Sequence, residues 1–178
     1  MLIRAIMGLV LSVVALPAVA ENVGFRFLWE GASGFEMVGA LAFDESLMSE
    51  PVIYEGDLAC FEIEGRQDGD AIGRFALDMV TLETDWRLTF LPGQGAFAVY
   101  SLATPTPQEW NMDGLGTSCG EGGFGFNIGN YAQDLCLDGK LLIASQMPPR
   151  TPFPAVRDDA VTFSPDACRD AMMLSALE

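Results

Sequence analysis

Glu62 and Glu64 are the pair of side chains best spaced for acid–base chemistry in this chain. They lie in Cys60-Phe61-Glu62-Ile63-Glu64, where apolar and polar residues alternate. A strand carries such a pair on one face with Cβ atoms about 7 Å apart. Two carboxyls at that spacing, with Asp78 as a third strand-borne acid, are the equipment of glycoside hydrolysis. That is the main hydrolytic chemistry left open, because the chain contains no histidine. The absence removes Ser-His-Asp and Cys-His nucleophile systems, histidine-ligated zinc and imidazole proton shuttles. Yet the chain has 25 acidic residues, so neighbouring carboxyls arise by composition alone, and an acidic solvent face is the preferred reading.

Hard oxygen ligands occur in Asp68-Gly69-Asp70 and Asn111-Met112-Asp113-Gly114, which makes Asp68, Asp70 and Asp113 the candidate calcium residues. Neither segment fits the twelve-residue EF-hand loop, and Asp or Asn beside Gly is ordinary turn composition. Gly122-Gly123-Phe124-Gly125-Phe126-Asn127-Ile128 has the glycine spacing of one turn of a calcium-binding β-roll. Its key acid is replaced by Asn127 and no second copy follows, so a glycine-rich hairpin without a cofactor is expected. Aromatic chemistry is offered by Trp110, after the Thr104-Pro105-Thr106-Pro107 loop, with Tyr100 and Tyr131. Exposed, these rings would stack on sugars; the competing reading has Trp110 covering a core edge.

The elements that position these residues follow from the alternation. Phe25, Phe27 and Trp29 share one face, and Phe35, Met37, Gly39, Leu41 and Phe43 share another, with Gly31–Gly34 as the turn between. Further strands are expected at 60–64, 74–81, 86–90, 96–102, 124–128, 135–137, 141–144 and 160–163. Nine or ten short strands with Gly and Pro turns predict an all-β domain, a β-sandwich or jelly roll of antiparallel strands. One helical turn is expected over 44–50 and a short C-terminal helix after Ser164-Pro165-Asp166, with Ala167, Ala171 and Leu174 on one face. The proline-rich stretches 104–107 and 148–154 read as extended crossovers within one domain.

Residues 1–20 have the three parts of a secretion signal: Arg4, an apolar run from Ala5 to Leu16, and Pro17-Ala18-Val19-Ala20 at the cut. The expected arrangement is a signal peptide over 1–20 and a single β-sandwich domain over 21–178, released without a membrane anchor into the periplasm or the extracellular medium. Cys60, Cys119, Cys136 and Cys168 all follow the cut, and an even count in an exported chain reads as two disulfides. Cys119–Cys136 with Cys60–Cys168 is the preferred pairing of the three possible. Nine basic residues against 25 acidic ones leave a formal net charge of −16, which excludes nucleic acid and anionic lipid as partners.

The motifs Phe25-x-Phe27-x-Trp29-x-Gly31-x-x-Gly34-Phe35, Gly39-x-Leu41-x-Phe43-Asp44-x-Ser46-Leu47 and Asp57-Leu58-x-x-Phe61 resemble small bacterial exported proteins of unknown function. The resemblance spans about the first third of the expected mature chain. Many such proteins carry a C-terminal sorting anchor, a hydrophobic tail with a basic cluster, which residues 160–178 do not spell. It implies an exported β-domain and transfers no activity and no site. The expectation is a non-enzymatic binding or structural module with a polysaccharide or surface-protein partner. A carboxylate-dependent glycan hydrolase and a calcium-stabilised inactive domain are the alternatives.

Overall fold

The computed structural model describes residues 21–169, and the chain is all-β. The expected signal over 1–20 and the helix positions Ala171 and Leu174 lie outside the described residues. Strand β1 (Asn22–Glu30) pairs antiparallel with β2 (Phe35–Asp44) along its whole length, and β4 (Leu58–Gln67) continues the meander into β5 (Asp70–Ala76). Asp68 and Gly69 close the last hairpin with φ of 51° and 90°, the two-residue turn that matches strand twist. Period-two alternation then turns Phe25, Phe27, Trp29, Met37, Leu41, Phe43, Phe61, Ile63 and Phe75 inward, and all are buried.

Four shorter strands widen this sheet: β3 (Ile53–Tyr54), β7 (Thr89–Leu91), β8 (Ala96–Phe97) and β13 (Phe153–Arg157). Its order is β3-β7-β8-β13-β1-β2-β4-β5. Only Glu55–Asp57 separate β3 at one edge from β4 near the other, so the sheet curls back on itself. The second layer comprises β6 (Trp86–Arg87), β9 (Gln108–Trp110), β10 (Phe124–Ile128), β11 (Gln133–Leu137) and β12 (Lys140–Leu141). Its order is β12-β11-β10-β9-β6. The two antiparallel sheets form a sandwich, and the glycine pair Gly65 and Gly73 on β4 and β5 seats the second on the first. A Cβ at either position would fall 2.3 or 2.7 Å from the Phe124 side chain, so only hydrogen there admits the ring.

Several expectations shift. The strand foreseen over 74–81 starts at Asp70 and stops at Ala76, where Leu77–Met79 turn as a 3-10 helix that tucks Leu77 into the core. The run 86–90 keeps its inward residues, but the chain crosses between sheets at buried Leu88. The strand over 96–102 shortens to Ala96–Phe97. The strand over 141–144 shortens to Lys140–Leu141, with Ile143–Ser145 a 3-10 turn. Residues 160–163 form no strand; it falls instead in the proline-rich stretch, at Phe153–Arg157. Pro154 is tolerated because the ladder to β1 begins only at Ala155. The expected turn after Asp44 is the 3-10 helix Glu45–Ser49.

The C-terminal helix is, within the described residues, the 3-10 turn Pro165–Ala167. The Ser164 side chain does not cap it; its hydroxyl donates to Glu62 and also lies 2.8 Å from Asp166. Both disulfides join the preferred partners, Cys60–Cys168 and Cys119–Cys136. Two closed disulfides are the pattern of a chain that matures in an oxidising environment. Among the described residues no helix is long and apolar enough to cross a membrane.

Candidate functional site

Three concavities among the described residues differ in charge. The first, about 430 Å³, lies on the outer face of β1, β2, β4 and β5 and holds Glu62, Glu64, Arg26, Arg66 and Arg74. Its carboxyls are occupied. Glu64 pairs with Arg66 at 2.7 Å, while Glu62 accepts from the Ser164 hydroxyl and faces Arg74 at 3.9 Å. Arg74 also grips Asp166 with two bonds of 2.5 and 2.8 Å. Asp78 sits outside the strand expected for it, in the turn after β5, and no exposed aromatic ring lines the groove. Glu62, with Arg74, latches the segment that leads to Cys168, while Glu64 is taken up by Arg66.

The second acidic concavity, about 300 Å³, brings Glu83, Asp85 and Asp113 to one loop cluster. Asp113 is committed to its own loop: one carboxylate oxygen accepts from Leu115 N at 2.9 Å and Thr117 N at 3.1 Å, the other from the Thr117 hydroxyl. Burial opposes its charge, but these hydrogen bonds and one from Gly116 hold its pKa below the ordinary carboxylate value. Asp68 and Asp70 lie on the β4–β5 hairpin, so the three candidate calcium residues are not brought together. Among the described residues no group of three or more Cys, Asp or Glu is arranged to hold a metal ion.

The largest of the three, about 560 Å³, crosses the outer face of the other half of the big sheet. Thr89 and Leu91 of β7, Ala96 of β8 and Pro154 of β13 form its floor, Tyr54 one wall, and Gln94, Ser101, Thr104 and Arg150 its polar rim. None of its lining residues is acidic. Fully buried Gln108 braces the floor from behind: its amide accepts from Thr89 N and donates to the carbonyls of Thr89 and Ala98. Ser101 and Thr104 are locked by reciprocal backbone bonds of 3.1 and 3.2 Å, and Tyr100 N binds Pro149 O at 3.1 Å. That tie sets the Arg150 guanidinium over the Tyr100 ring, 5.4 Å from its centroid.

The expected aromatic trio is therefore divided. Trp110 is 0% exposed at the centre of the core and reaches no ligand, a correction to its reading as a surface platform. The alternation of β9 turns it inward against Phe27, Phe61, Phe97, Phe126 and Phe153. Tyr131 is exposed in the turn between β10 and β11, and lines none of these grooves. Tyr100 alone adjoins one, through Arg150. Tyr54 and Arg150 were missed by sequence reasoning, although a signal existed. Residues 86–108 and 139–157 contain no Asp or Glu, and most of the groove is built from those two windows.

On the outer face of the second sheet one buried acid stands apart. Arg87, Glu109, Asn127 and Asp134 form a cross-strand row, and Arg87 meets Glu109 at 3.2 Å. Asp134 is 4% exposed, with one oxygen bound by Gln146 at 2.9 Å and the other without a partner among the described residues. Burial pushes its pKa up to about 6, against the weaker effect of Gln146. A carboxyl whose folded pKa exceeds its unfolded value of about 3.9 binds protons on folding, so stability falls as pH rises from about 4 to 6. The loss above pH 6 is up to about 3 kcal/mol. Thermal midpoints of wild type should rise on acidification from pH 7 to 5, whereas Asp134→Asn should be flat across that window. Parallel curves would refute the assignment.

No protein-family model, curated protein or solved structure matches the chain.

Proposed function

We propose that this chain is an exported, non-enzymatic binding module whose acid-free groove receives a segment of polysaccharide. The observation that carries the reading is the contrast in charge. In a chain with 25 acidic residues, none of the described ones lines this groove. Its volume of about 560 Å³ falls in the range of about 300–1,000 Å³ usual for ligand sites, and an apolar floor with a polar rim suits a pyranose. Tyr54, half exposed on the wall, offers a ring to the apolar face of a sugar, while Gln94, Ser101 and Thr104 offer hydrogen-bonding groups to hydroxyls. The two disulfides and the expected signal over 1–20 support delivery to the periplasm or beyond.

Screening the oxidised protein on an array of neutral and acidic glycans tests this directly. Tyr54→Ala is expected to weaken any hit about tenfold, the equivalent of about 1.4 kcal/mol, without moving the thermal midpoint. Ala96→Trp, which fills the floor, should abolish binding. Hits indifferent to both variants, or no hits at all, would refute the groove as a glycan site.

A further inference from the structure

Resting on that reading of the groove, we infer that its ligand carries an isolated anionic group, a uronate carboxylate, and that Arg150 is the residue that recognises it. Arg150 differs from the other described basic side chains. Arg26, Arg66, Arg74, Arg87, Lys140 and Arg157 each face a carboxylate within 4.0 Å, and Arg169 donates to the carbonyls of Glu55 and Gly56. Among the described residues Arg150 has no ion pair and no hydrogen bond. In a protein of net charge −16 an unpaired arginine is conspicuous, since acidic residues outnumber basic ones 25 to nine.

The guanidinium is nevertheless oriented. It lies over Tyr100, whose backbone is tied to Pro149, and prolines at 148, 149 and 152 stiffen the segment that carries it. A planar fork held on a ring loses less entropy on binding than a free side chain and matches the two oxygens of a carboxylate. Among the described residues no acid lines the groove to compete for it. The net charge also limits the ligand: the long-range field repels a dense polyanion, whereas a chain with one acid for each neutral sugar brings little charge to the groove at a time.

The probes are hexasaccharides of uronate alternating with neutral sugar, each with its methyl-ester twin, titrated against the oxidised protein by calorimetry at low and high salt. The acid forms should bind about tenfold more tightly than the esters at low salt, and the preference should shrink as salt rises. Arg150→Ala should erase the preference, and Arg150→Lys should restore only part of it, because an ammonium lacks the fork. Equal binding of acid and ester, unchanged in Arg150→Ala but weakened by Tyr54→Ala, overturns the anion assignment and leaves the groove reading intact. If neither these probes nor the glycan array yields binding that Tyr54→Ala weakens, both fall.

Discussion

Trp110→Ala should lower the unfolding free energy by about 3–5 kcal/mol, measured by urea denaturation at neutral pH. The indole is fully buried between the two sheets, with ring centroids of Phe61 and Phe126 at 5.0 Å, Phe97 at 5.1 Å, Phe27 at 5.8 Å and Phe153 at 6.0 Å. Truncation leaves a cavity that residues from both layers would have to fill, and packed aromatic rings relax little. Trp110→Phe should cost less than half as much. It keeps a ring in place and removes an indole N–H that has no partner among the described residues. A loss below about 1 kcal/mol for the alanine variant would mean that the ring lies at the surface.

Opening the Cys60–Cys168 bridge should cost about 4–5 kcal/mol, more than opening Cys119–Cys136 at about 3 kcal/mol. The bridges span 108 and 17 residues, and the entropy regained by the unfolded chain grows with the loop released. Native contacts amplify the difference. Cys168 ends the segment latched by Ser164 to Glu62 and by Asp166 to Arg74, while the shorter bridge closes one glycine-rich loop beside Met112. The latch has its own pH limit. The two hydrogen bonds from Arg74 hold the Asp166 carboxyl well below the usual carboxylate range, so its stabilising effect is lost as pH falls beneath that range. Paired serine variants at each bridge, compared by urea unfolding, would give equal or inverted losses if loop length were not the controlling quantity.

The strands β1, β2 and β4 of the meander were legible because their alternation is clear, whereas β5 was placed four residues late. Asp68-Gly69 is a two-residue hairpin signal in the sequence, and it closes a two-residue hairpin in the fold. The short strands were less so. Trp86, Leu88 and Phe90 alternate without a break, and nothing local announces that the chain changes sheets at Leu88. The proline-rich stretch 148–154 reads as a crossover, yet its end joins the strand Phe153–Arg157; whether Pro154 needs a donor depends on where the neighbouring ladder begins. The site was legible only in part. Tyr100 was named, but Tyr54 and Arg150 come from other segments, and Trp110 looked available only because its loop is rich in proline.

By itself the sequence determined the all-β class, the core-facing residues of the long strands, the chemistry excluded by a missing histidine and the parity of the cysteines. Each depends on residue type or on spacing between close neighbours. Tertiary structure decided which sheet each short strand joins, that Trp110 is core, that Asp134 is buried with one oxygen unpaired, and that two distant acid-free windows meet in one groove. Periodicity tells which side chains share a face. What covers that face is set by contacts between residues far apart in the chain, and burial, pKa and binding surfaces follow from those contacts.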